Sequence, residues 1–399
     1  MLIVDAPRPP RLAALDGLRL LAALAVALFH FSVGWRVDGV HPPAYFLPTA
    51  AHVSIYGFLG VELFFLISGF VICMSSWGRG LGEFFVSRVG RLYPAYWVCV
   101  LISAAVVLAF PLTGGVPVVP RPGLDDILIN LTMLQQPMGV ASIEGVYWTL
   151  FVELCFYLLF GIVVFFGVTY RRVVLFCAVW MTVAVFAPVL DSPLVNALAV
   201  PDFAPYFIAG IAMYLIRRFR PNPLLLGIVG FSWLVSMHRL GPRLATLDPG
   251  FAVPAWPGHL IVTAAFAVLL AVALGWTDRI TWRWLTVAGA LTYPFYLLHQ
   301  RLGYLLIRAG YEDTELPVWA LILAVTLALV GLSWVVHRYL ERPLAAAVRV
   351  GMRRGLADLR DAERPPAPYR VPAPARRSAT VAGADSVPEP ARRPVRSGT

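Results

Sequence analysis

Long apolar stretches alternate with short polar connections over most of the chain. A helix that crosses a hydrocarbon core of about 30 Å needs about 20 mostly apolar residues. The stretches that approach this length are residues 13–33, 53–75, 92–112, 146–166, 172–190, 203–217, 223–238, 256–275, 284–307 and 317–339. This pattern predicts an all-α fold, a polytopic transmembrane helix bundle of about ten spans that occupies residues 12–343.

The composition supports this fold class and excludes an ordinary soluble protein. Of the 399 residues, 59% are hydrophobic and 14% are charged, whereas a soluble domain is about 45–50% apolar and about 25% charged. The net charge of +10 comes from arginines that stand singly or in small groups between apolar stretches, so we expect the lipid bilayer, and no nucleic acid, as a partner. The four cysteines stand apart inside apolar stretches, so we expect no disulfide framework and no metal site.

The distribution of arginine predicts the orientation of the bundle. Twelve arginines lie in the N-terminal segment and in the connections that follow even-numbered spans, whereas five lie in the connections on the other side. Cytoplasmic connections carry the excess of Lys and Arg in membrane proteins. We therefore predict a multi-pass protein of the cell membrane with both termini in the cytoplasm.

Three segments lie outside the predicted bundle. Residues 1–11 form a short cytoplasmic segment, and the arginine-rich residues 344–363 predict a helix that lies against an anionic membrane surface. Residues 364–399 are rich in Pro, Arg, Ala and Ser, which predicts a disordered cytoplasmic C-terminal tail. Between the third and fourth spans, residues 124–136 are too short to cross the bilayer and predict a surface or re-entrant helix.

Ionisable and hydrogen-bonding side chains inside the spans are the candidate functional residues, because such groups are costly in a bilayer and are usually kept for function. With the N-terminus inside, those in the outer to middle part of the bundle are His30, Glu62, Glu153, Tyr293, Tyr296 and His299. A hydrogen-bonded core histidine and an interfacial aromatic belt are the structural alternatives for His30 and the tyrosines.

Arginines form a second group near the predicted cytoplasmic rim. Arg19 lies in the first span, and Arg88 and Arg91 share a helix face just before the third. Several forked guanidinium donors suit a polyphosphate, although simple snorkelling anchors would explain the same residues. Arg19 and His30 are 11 residues apart, which places them on one helix face about 16 Å apart along its axis.

Six ordered motifs carry a resemblance to a known family. They are LDGLRLLAALAVALFHF (15–31), GVELFFLISGFVI (60–72), RVGRLYPAYW (88–97), YWTLFVELCFYLLF (147–160), TYPFYLLHQ (292–300) and YLERPL (339–344). Together they resemble the acyltransferase-3 family of integral-membrane O-acyltransferases. The resemblance implies transfer of an acyl group, acetyl or another short acyl, from cytoplasmic acyl-CoA to a hydroxyl. It further implies that acyl-CoA is a co-substrate, that no cofactor is bound permanently, and that the hydroxyl belongs to a sugar, envelope glycan, glycolipid or macrolide.

The resemblance also assigns residues. The essential histidine of the family's first span falls on His30, and the arginine of that span falls on Arg19. The family's Arg-x-x-Arg pair falls on Arg88 and Arg91, and the glutamate of its fourth span falls on Glu153. We hypothesise that these three arginines bind the phosphates of acyl-CoA.

The sequence-based hypothesis for the mechanism makes His30 the general base on the acceptor hydroxyl, a step that suits an imidazole. Glu153 or Glu62 would fix the imidazole tautomer, and Tyr293, Tyr296 and His299 would bind the acceptor. Direct transfer and a transient acyl-His30 are both compatible with the sequence.

Two alternative functions belong to other classes of protein than the acyltransferase. A proton-coupled exporter of a sugar or lipid would use the same histidines and acids as a relay. The second alternative, a membrane scaffold without activity, is disfavoured because a scaffold would not need His30 and Glu153 inside the bilayer. Acyl transfer changes the mass of the substrate and releases a thiol, whereas transport alone leaves the mass unchanged.

Overall fold

The computed structural model describes residues 12–110, 121–247 and 249–362. The chain divides into two compact units, residues 1–356 and 357–399, and the second is described only over 357–362. The predicted N-terminal segment 1–11 and the predicted disordered tail 364–399 lie outside the described residues.

The described residues fold into α-helices with short helical turns and loops between them, and they contain no strand. The helices are α1 (Ala13–Ser32), α2 (Pro43–Phe46), α3 (Pro48–Ser54), α4 (Gly60–Ser76), α5 (Leu81–Ala109), α6 (Leu124–Asn130), α7 (Trp148–Phe166), α8 (Tyr170–Leu190), α9 (Pro193–Ala199), α10 (Ala204–Phe219), α11 (Pro223–Ala245), α12 (Ala255–Ala273), α13 (Arg283–Asp313), α14 (Val318–Val335) and α15 (Arg342–Ala362).

The prediction of an all-α membrane bundle is confirmed. Nine helical segments in the described part of the chain are long and apolar enough to cross a membrane. Helix α13, which corresponds to the predicted span 284–307, is not among the nine, because polar residues in its interior, including His299, Gln300 and Arg301, lower its mean hydropathy. A six-residue π-helical turn, Val336–Glu341, joins α14 to α15, and α15 coincides with the helix predicted over 344–363 as far as residue 362.

The connection between the third and fourth spans contains a short helix that does not cross the membrane. Helix α6 has seven residues, too few for a span. Asn130 at its end donates to the carbonyls of Asp126 and Ala141, and accepts from the backbone N–H of Ile143. The hydroxyl of Tyr96 on α5 donates to the carbonyl of Asn130 at 2.6 Å. These bonds hold the segment against α5.

Glycines allow α4 and α10 to pack with their backbones in contact. A side chain at Gly210 would collide with the carbonyl of Leu66, and one at Gly69 would collide with the carbonyl of Phe207. Small residues permit such close helix approaches in membrane bundles, where van der Waals packing replaces the hydrophobic effect between helices. The pair α4 and α10 therefore forms a rigid centre of the bundle.

This contact predicts a steric penalty at Gly210. We expect Gly210→Ala to destabilise the protein by about 1–3 kcal/mol, the usual cost of an overpacked core. Gly227→Ala on α11 is the matched control, because a Cβ at Gly227 has no neighbour within 4 Å and alanine favours the helix. Melting in detergent measures both variants, and equal melting temperatures would contradict the close packing.

Helices α1 and α13 run parallel and in close contact. A side chain at Gly289 would meet Asp16, and one at Gly303 would meet Phe31. Early residues of α13 thus face the start of α1, and later residues face its end. This register brings the last turn of α1, which carries His30, beside the middle of α13.

Candidate active site

His30 lies in the last turn of α1 and is half-buried. Its Nδ1 atom is 3.2 Å from Nε2 of Gln300 and 3.5 Å from the hydroxyl of Tyr304, and both partners lie on α13. The ring of His299 lies beside it, with 5.3 Å between the two ring centroids. The structure therefore joins two histidines that the sequence identified separately, and it gives the imidazole of His30 neutral hydrogen-bonding partners.

His299 is fully buried, and its hydrogen bonds define its tautomer. Its Nδ1 lies 2.8 Å from the carbonyl of Tyr296, so Nδ1 carries the proton and donates it. Its Nε2 is then a buried acceptor, which has no hydrogen-bond partner among the described residues. The hydroxyl of Tyr296 bonds the hydroxyl of Thr149 on α7 at 3.0 Å. His299 thus lies next to His30, and Tyr296 lies beside His299 with its hydroxyl bonded to Thr149.

Glu153 on α7 makes different contacts from His30. It accepts from the hydroxyl of Ser68 at 3.0 Å and from the hydroxyl of Tyr157 at 2.5 Å. It also interacts electrostatically with Arg19 and Arg88. The structure thus places Glu153 with the arginines.

The three predicted arginines lie near one another and near aromatic rings. The guanidinium of Arg88 lies over the ring of Tyr157 at 5.9 Å, and that of Arg91 lies over Tyr293 at 5.7 Å. Arg19 pairs with Asp16 at 3.2 Å and interacts electrostatically with Arg91. Three cations face two carboxylates, Asp16 and Glu153, so one positive charge remains in excess at this cluster.

Arg88 has a donor without an acceptor. Its Nη2 donates to the hydroxyl of Ser87 at 2.8 Å, but its Nε is buried and has no hydrogen-bond partner within the described ranges. A buried charged donor without an acceptor is costly, and an anionic group bound beside it would supply the acceptor.

Tyr293 lies with Arg19, Arg88 and Arg91, named here the arginine layer, rather than with His30. Its hydroxyl donates to the carbonyl of Leu92 on α5 at 3.1 Å, and its ring faces Arg91. The sequence placed it with Tyr296 and His299 toward the outer half of α13. The structure separates them because Tyr293 lies about one helical turn before Tyr296 and bonds α5, whereas Tyr296 bonds Thr149 on α7.

Glu62 on α4 pairs with a residue that the sequence did not connect to it. It is fully buried, and its Oε1 accepts from Nη1 of Arg243 on α11 at 2.5 Å. The Arg243 guanidinium lies over the ring of Phe203 at 4.8 Å. The structure thus gives both acids partners other than the imidazole of His30, which the sequence-based hypothesis had assigned to one of them.

Tyr296 lies between the arginine layer and the group formed by His30 and His299. This residue interacts electrostatically with both Glu153 and Glu62, and its ring lies 5.6 Å from that of His299. Arg88, Glu153, Tyr296, His299 and His30 therefore form a series of polar side chains, named here the polar path, which is linked by electrostatic interactions and ring contacts rather than by a chain of hydrogen bonds. The arginine end of the polar path can bind an anion, and a ring nitrogen of His30 at the other end can accept a proton.

The site offers no evident metal centre. Over residues 12–110, 121–247 and 249–362, no three His, Cys, Asp or Glu side chains group closely enough to hold a metal ion. The prediction that acyl-CoA acts as a co-substrate, without a permanently bound cofactor, remains a prediction.

Sequence reasoning missed three partners of the candidate residues. Gln300 closes the motif TYPFYLLHQ but received no role, and Tyr304 lies one helical turn beyond it on the same face. Both could have been flagged from that spacing. Arg243 carries no local signal, because it is 181 residues from Glu62.

The chain belongs to the acyltransferase-3 family, since the acyltransferase domain of that family matches residues 12–338. The prediction of a membrane acyltransferase, an enzyme that transfers groups other than aminoacyl groups, is thereby confirmed at the level of the family.

The curated relatives are named acyltransferases or O-acetyltransferases. The chain is 27% identical to the acyltransferase MdmB of Streptomyces mycarofaciens over 337 residues, which cover 77% of this chain and 81% of MdmB. It is 31% identical to the O-acetyltransferase OatA of Staphylococcus aureus over 175 residues, or 40% of this chain and 25% of OatA. It is 29% identical to the peptidoglycan O-acetyltransferase OatA of Listeria monocytogenes over 96 residues, or 22% of this chain and 12% of that protein. No solved structure matches the chain.

Proposed function

We propose that the protein transfers a short acyl group, acetyl or similar, from acyl-CoA to a hydroxyl of a sugar-containing acceptor. The observation that carries the proposal is the polar path between the arginine layer and His30. An acyl donor with a phosphorylated carrier needs cations at one end and a base at the other, and the path supplies both. In this proposal both termini and the arginine layer face the cytoplasm.

The arginine layer binds the carrier. Arg19, Arg88 and Arg91 supply forked donors for the 3′-phosphate and pyrophosphate of CoA, and the unpaired Nε of Arg88 gains an acceptor. The pantetheine arm extends along α1 from Arg19 toward His30. Their separation along the helix, about 16 Å, matches the order of length of that arm.

His30 acts on the acceptor hydroxyl at the other end. As the hydroxyl oxygen attacks the thioester carbonyl, a ring nitrogen of His30 takes its proton. The tetrahedral intermediate then collapses, the carbon–sulfur bond breaks, and the imidazolium returns the proton to the leaving thiolate. The products are an ester and free CoA. A transient acyl-His30 would achieve the same transfer in two steps.

The names of the relatives support the class of acceptor. The Listeria relative is named for peptidoglycan, a glycan polymer, which favours a carbohydrate hydroxyl here. Glycolipids and macrolides, which also carry sugar hydroxyls, belong to the same proposal. The residues proposed to contact the acceptor are His299, which lies next to His30, and Tyr296, which lies beside His299.

A reaction in detergent separates this function from export. Purified protein is incubated with acetyl-CoA and a panel of soluble sugar acceptors, because a micelle has no compartments between which a substrate can be carried. We expect free CoA thiol to appear only with an acceptor, together with an acceptor heavier by one acetyl group. Carriage of an unmodified sugar across vesicle membranes, with no thiol released, would instead establish the proton-coupled exporter.

A further inference from the structure

Gln300 is the side chain whose hydrogen bonds bear most directly on the chemistry of His30. Its Nε2 is 3.2 Å from Nδ1 of His30 and 3.4 Å from the hydroxyl of Tyr304. Its Oε1 is buried without any hydrogen-bond partner in the described part of the chain. The carboxamide also lies against the backbone at Gly145, where a Cβ would be 2.7 Å from Oε1. The side chain is therefore held in place, with one of its polar atoms unsatisfied.

The two orientations of this carboxamide have opposite consequences for the imidazole. If nitrogen faces His30, Nδ1 must accept, the ring proton lies on Nε2, and no lone pair remains there for a base. If oxygen faces His30, it accepts from Nδ1–H and from the hydroxyl of Tyr304, so the buried oxygen is satisfied twice. The oxygen and nitrogen of a carboxamide have nearly the same shape, so either orientation fits the space. Each orientation makes two hydrogen bonds, to His30 and Tyr304, and leaves the other end of the carboxamide at Gly145 without a partner. The orientation with oxygen toward His30 is the one that leaves Nε2 of His30 free to act as a base.

We propose that Gln300 is the positioning residue of the base: its amide oxygen holds His30 in the Nδ1–H tautomer and leaves Nε2 free to accept the proton of the acceptor hydroxyl. The proposal rests on the proposed function for that proton transfer. Tyr304 supports Gln300 through its hydroxyl, and its ring is fixed by stacking on Trp35 at 4.8 Å.

The other candidates for this role are engaged elsewhere. Glu153 accepts from Ser68 and Tyr157, and Glu62 accepts from Arg243. A neutral amide orients the ring as a carboxylate does, but it adds no negative charge beside it. The base of this protein is therefore oriented by a neutral group.

The tautomer of His30 can be measured without any acyl donor. The full chain is labelled with ¹⁵N-histidine in detergent micelles, and two-bond ¹⁵N–¹H correlations report which ring nitrogen carries the proton. The His30→Asn variant identifies the signal. We expect the Nδ1–H pattern for His30, and an Nε2–H pattern would overturn the proposal. This result does not depend on the reaction, so it separates a failure of this proposal from a failure of the proposed function.

Kinetics provide the second test. We expect Gln300→Leu to lower kcat by about 10- to 100-fold while KM for acetyl-CoA stays nearly constant, because the donor is bound at the arginine layer. This loss is smaller than the roughly 10⁴-fold loss caused by a wrong tautomer in a serine-protease triad, since the partner replaced here is neutral. Gln300→Glu again offers an acceptor to Nδ1–H and should recover most of the lost kcat.

The matched control is Gln136→Leu, the same substitution at an exposed glutamine outside the path, which should leave kcat unchanged. A wild-type kcat in a folded Gln300→Leu protein would overturn the proposal. So would a Gln300→Glu variant that is as slow as Gln300→Leu, because a purely structural role would not depend on an acceptor at this position.

Discussion

Replacing His30 by alanine is expected to lower kcat for acyl transfer by about 10²- to 10⁴-fold, the contribution of a positioned general base. The substitution removes the nitrogen that takes the hydroxyl proton, while the arginine layer is untouched, so KM for acyl-CoA should change little. Release of CoA thiol by the purified, folded variant measures the effect. Turnover at the wild-type rate would contradict the assignment.

A second histidine controls for the loss of an imidazole in the bundle. His259 on α12 is half-buried and bonds the carbonyl of Ala255 at 2.7 Å, but it lies outside the polar path. We expect His259→Ala to keep the wild-type kcat even if its melting temperature falls. A comparable loss of kcat in both variants would mean that the effect of His30→Ala is structural.

Replacing Arg88 by alanine is expected to have the second large effect, a lower kcat/KM for acetyl-CoA. Hydrogen bonds to charged groups contribute about 1.5–3 kcal/mol, and every 1.4 kcal/mol is tenfold. We therefore expect kcat/KM for acetyl-CoA to fall by about 10- to 150-fold, mostly through KM. For acetyl-pantetheine, which lacks the CoA phosphates, the substitution should lower kcat/KM much less. Steady-state kinetics with both donors measures this difference.

Arg171→Ala is the matched control for charge. Arg171 is exposed at the start of α8, on the side predicted to be cytoplasmic, and it lies outside the arginine layer. Its loss changes the net charge equally and should leave kcat/KM for acetyl-CoA near that of the wild type. Equal losses for acetyl-CoA and acetyl-pantetheine in Arg88→Ala would show that Arg88 does not bind the phosphates.

The spans were predictable because the bilayer imposes them: backbone groups in lipid must be satisfied within a helix, and the helix must be apolar over about 20 residues. Charged residues caused an error in the predicted start of the third span. The third span was predicted to begin at residue 92, after Arg88 and Arg91, whereas α5 begins at Leu81. Hydropathy indicates where a chain enters lipid, but helix hydrogen bonding continues through the interface.

The sequence predicted which residues belong to the site, but it did not predict which of them contact one another. Helical spacing places Arg19 and His30 on one face, but it does not say which neighbouring helix that face meets. Gln300 and His30 are 270 residues apart, and their contact depends on the parallel packing of α1 and α13. Rotation of a helix against its neighbours is decided by tertiary packing, such as that at Gly289 and Gly303, which a single sequence does not encode locally.

The central claim is that the arginine layer and His30 serve one reaction from opposite ends of a path through the membrane. Proteoliposomes of uniform orientation test it most directly, with acetyl-CoA present only on the side of the arginine layer and a membrane-impermeant sugar acceptor only on the other. The account predicts an acetylated acceptor on the far side, with CoA thiol released on the near side and neither product formed by His30→Ala. Acetylation only when donor and acceptor share one compartment would contradict it.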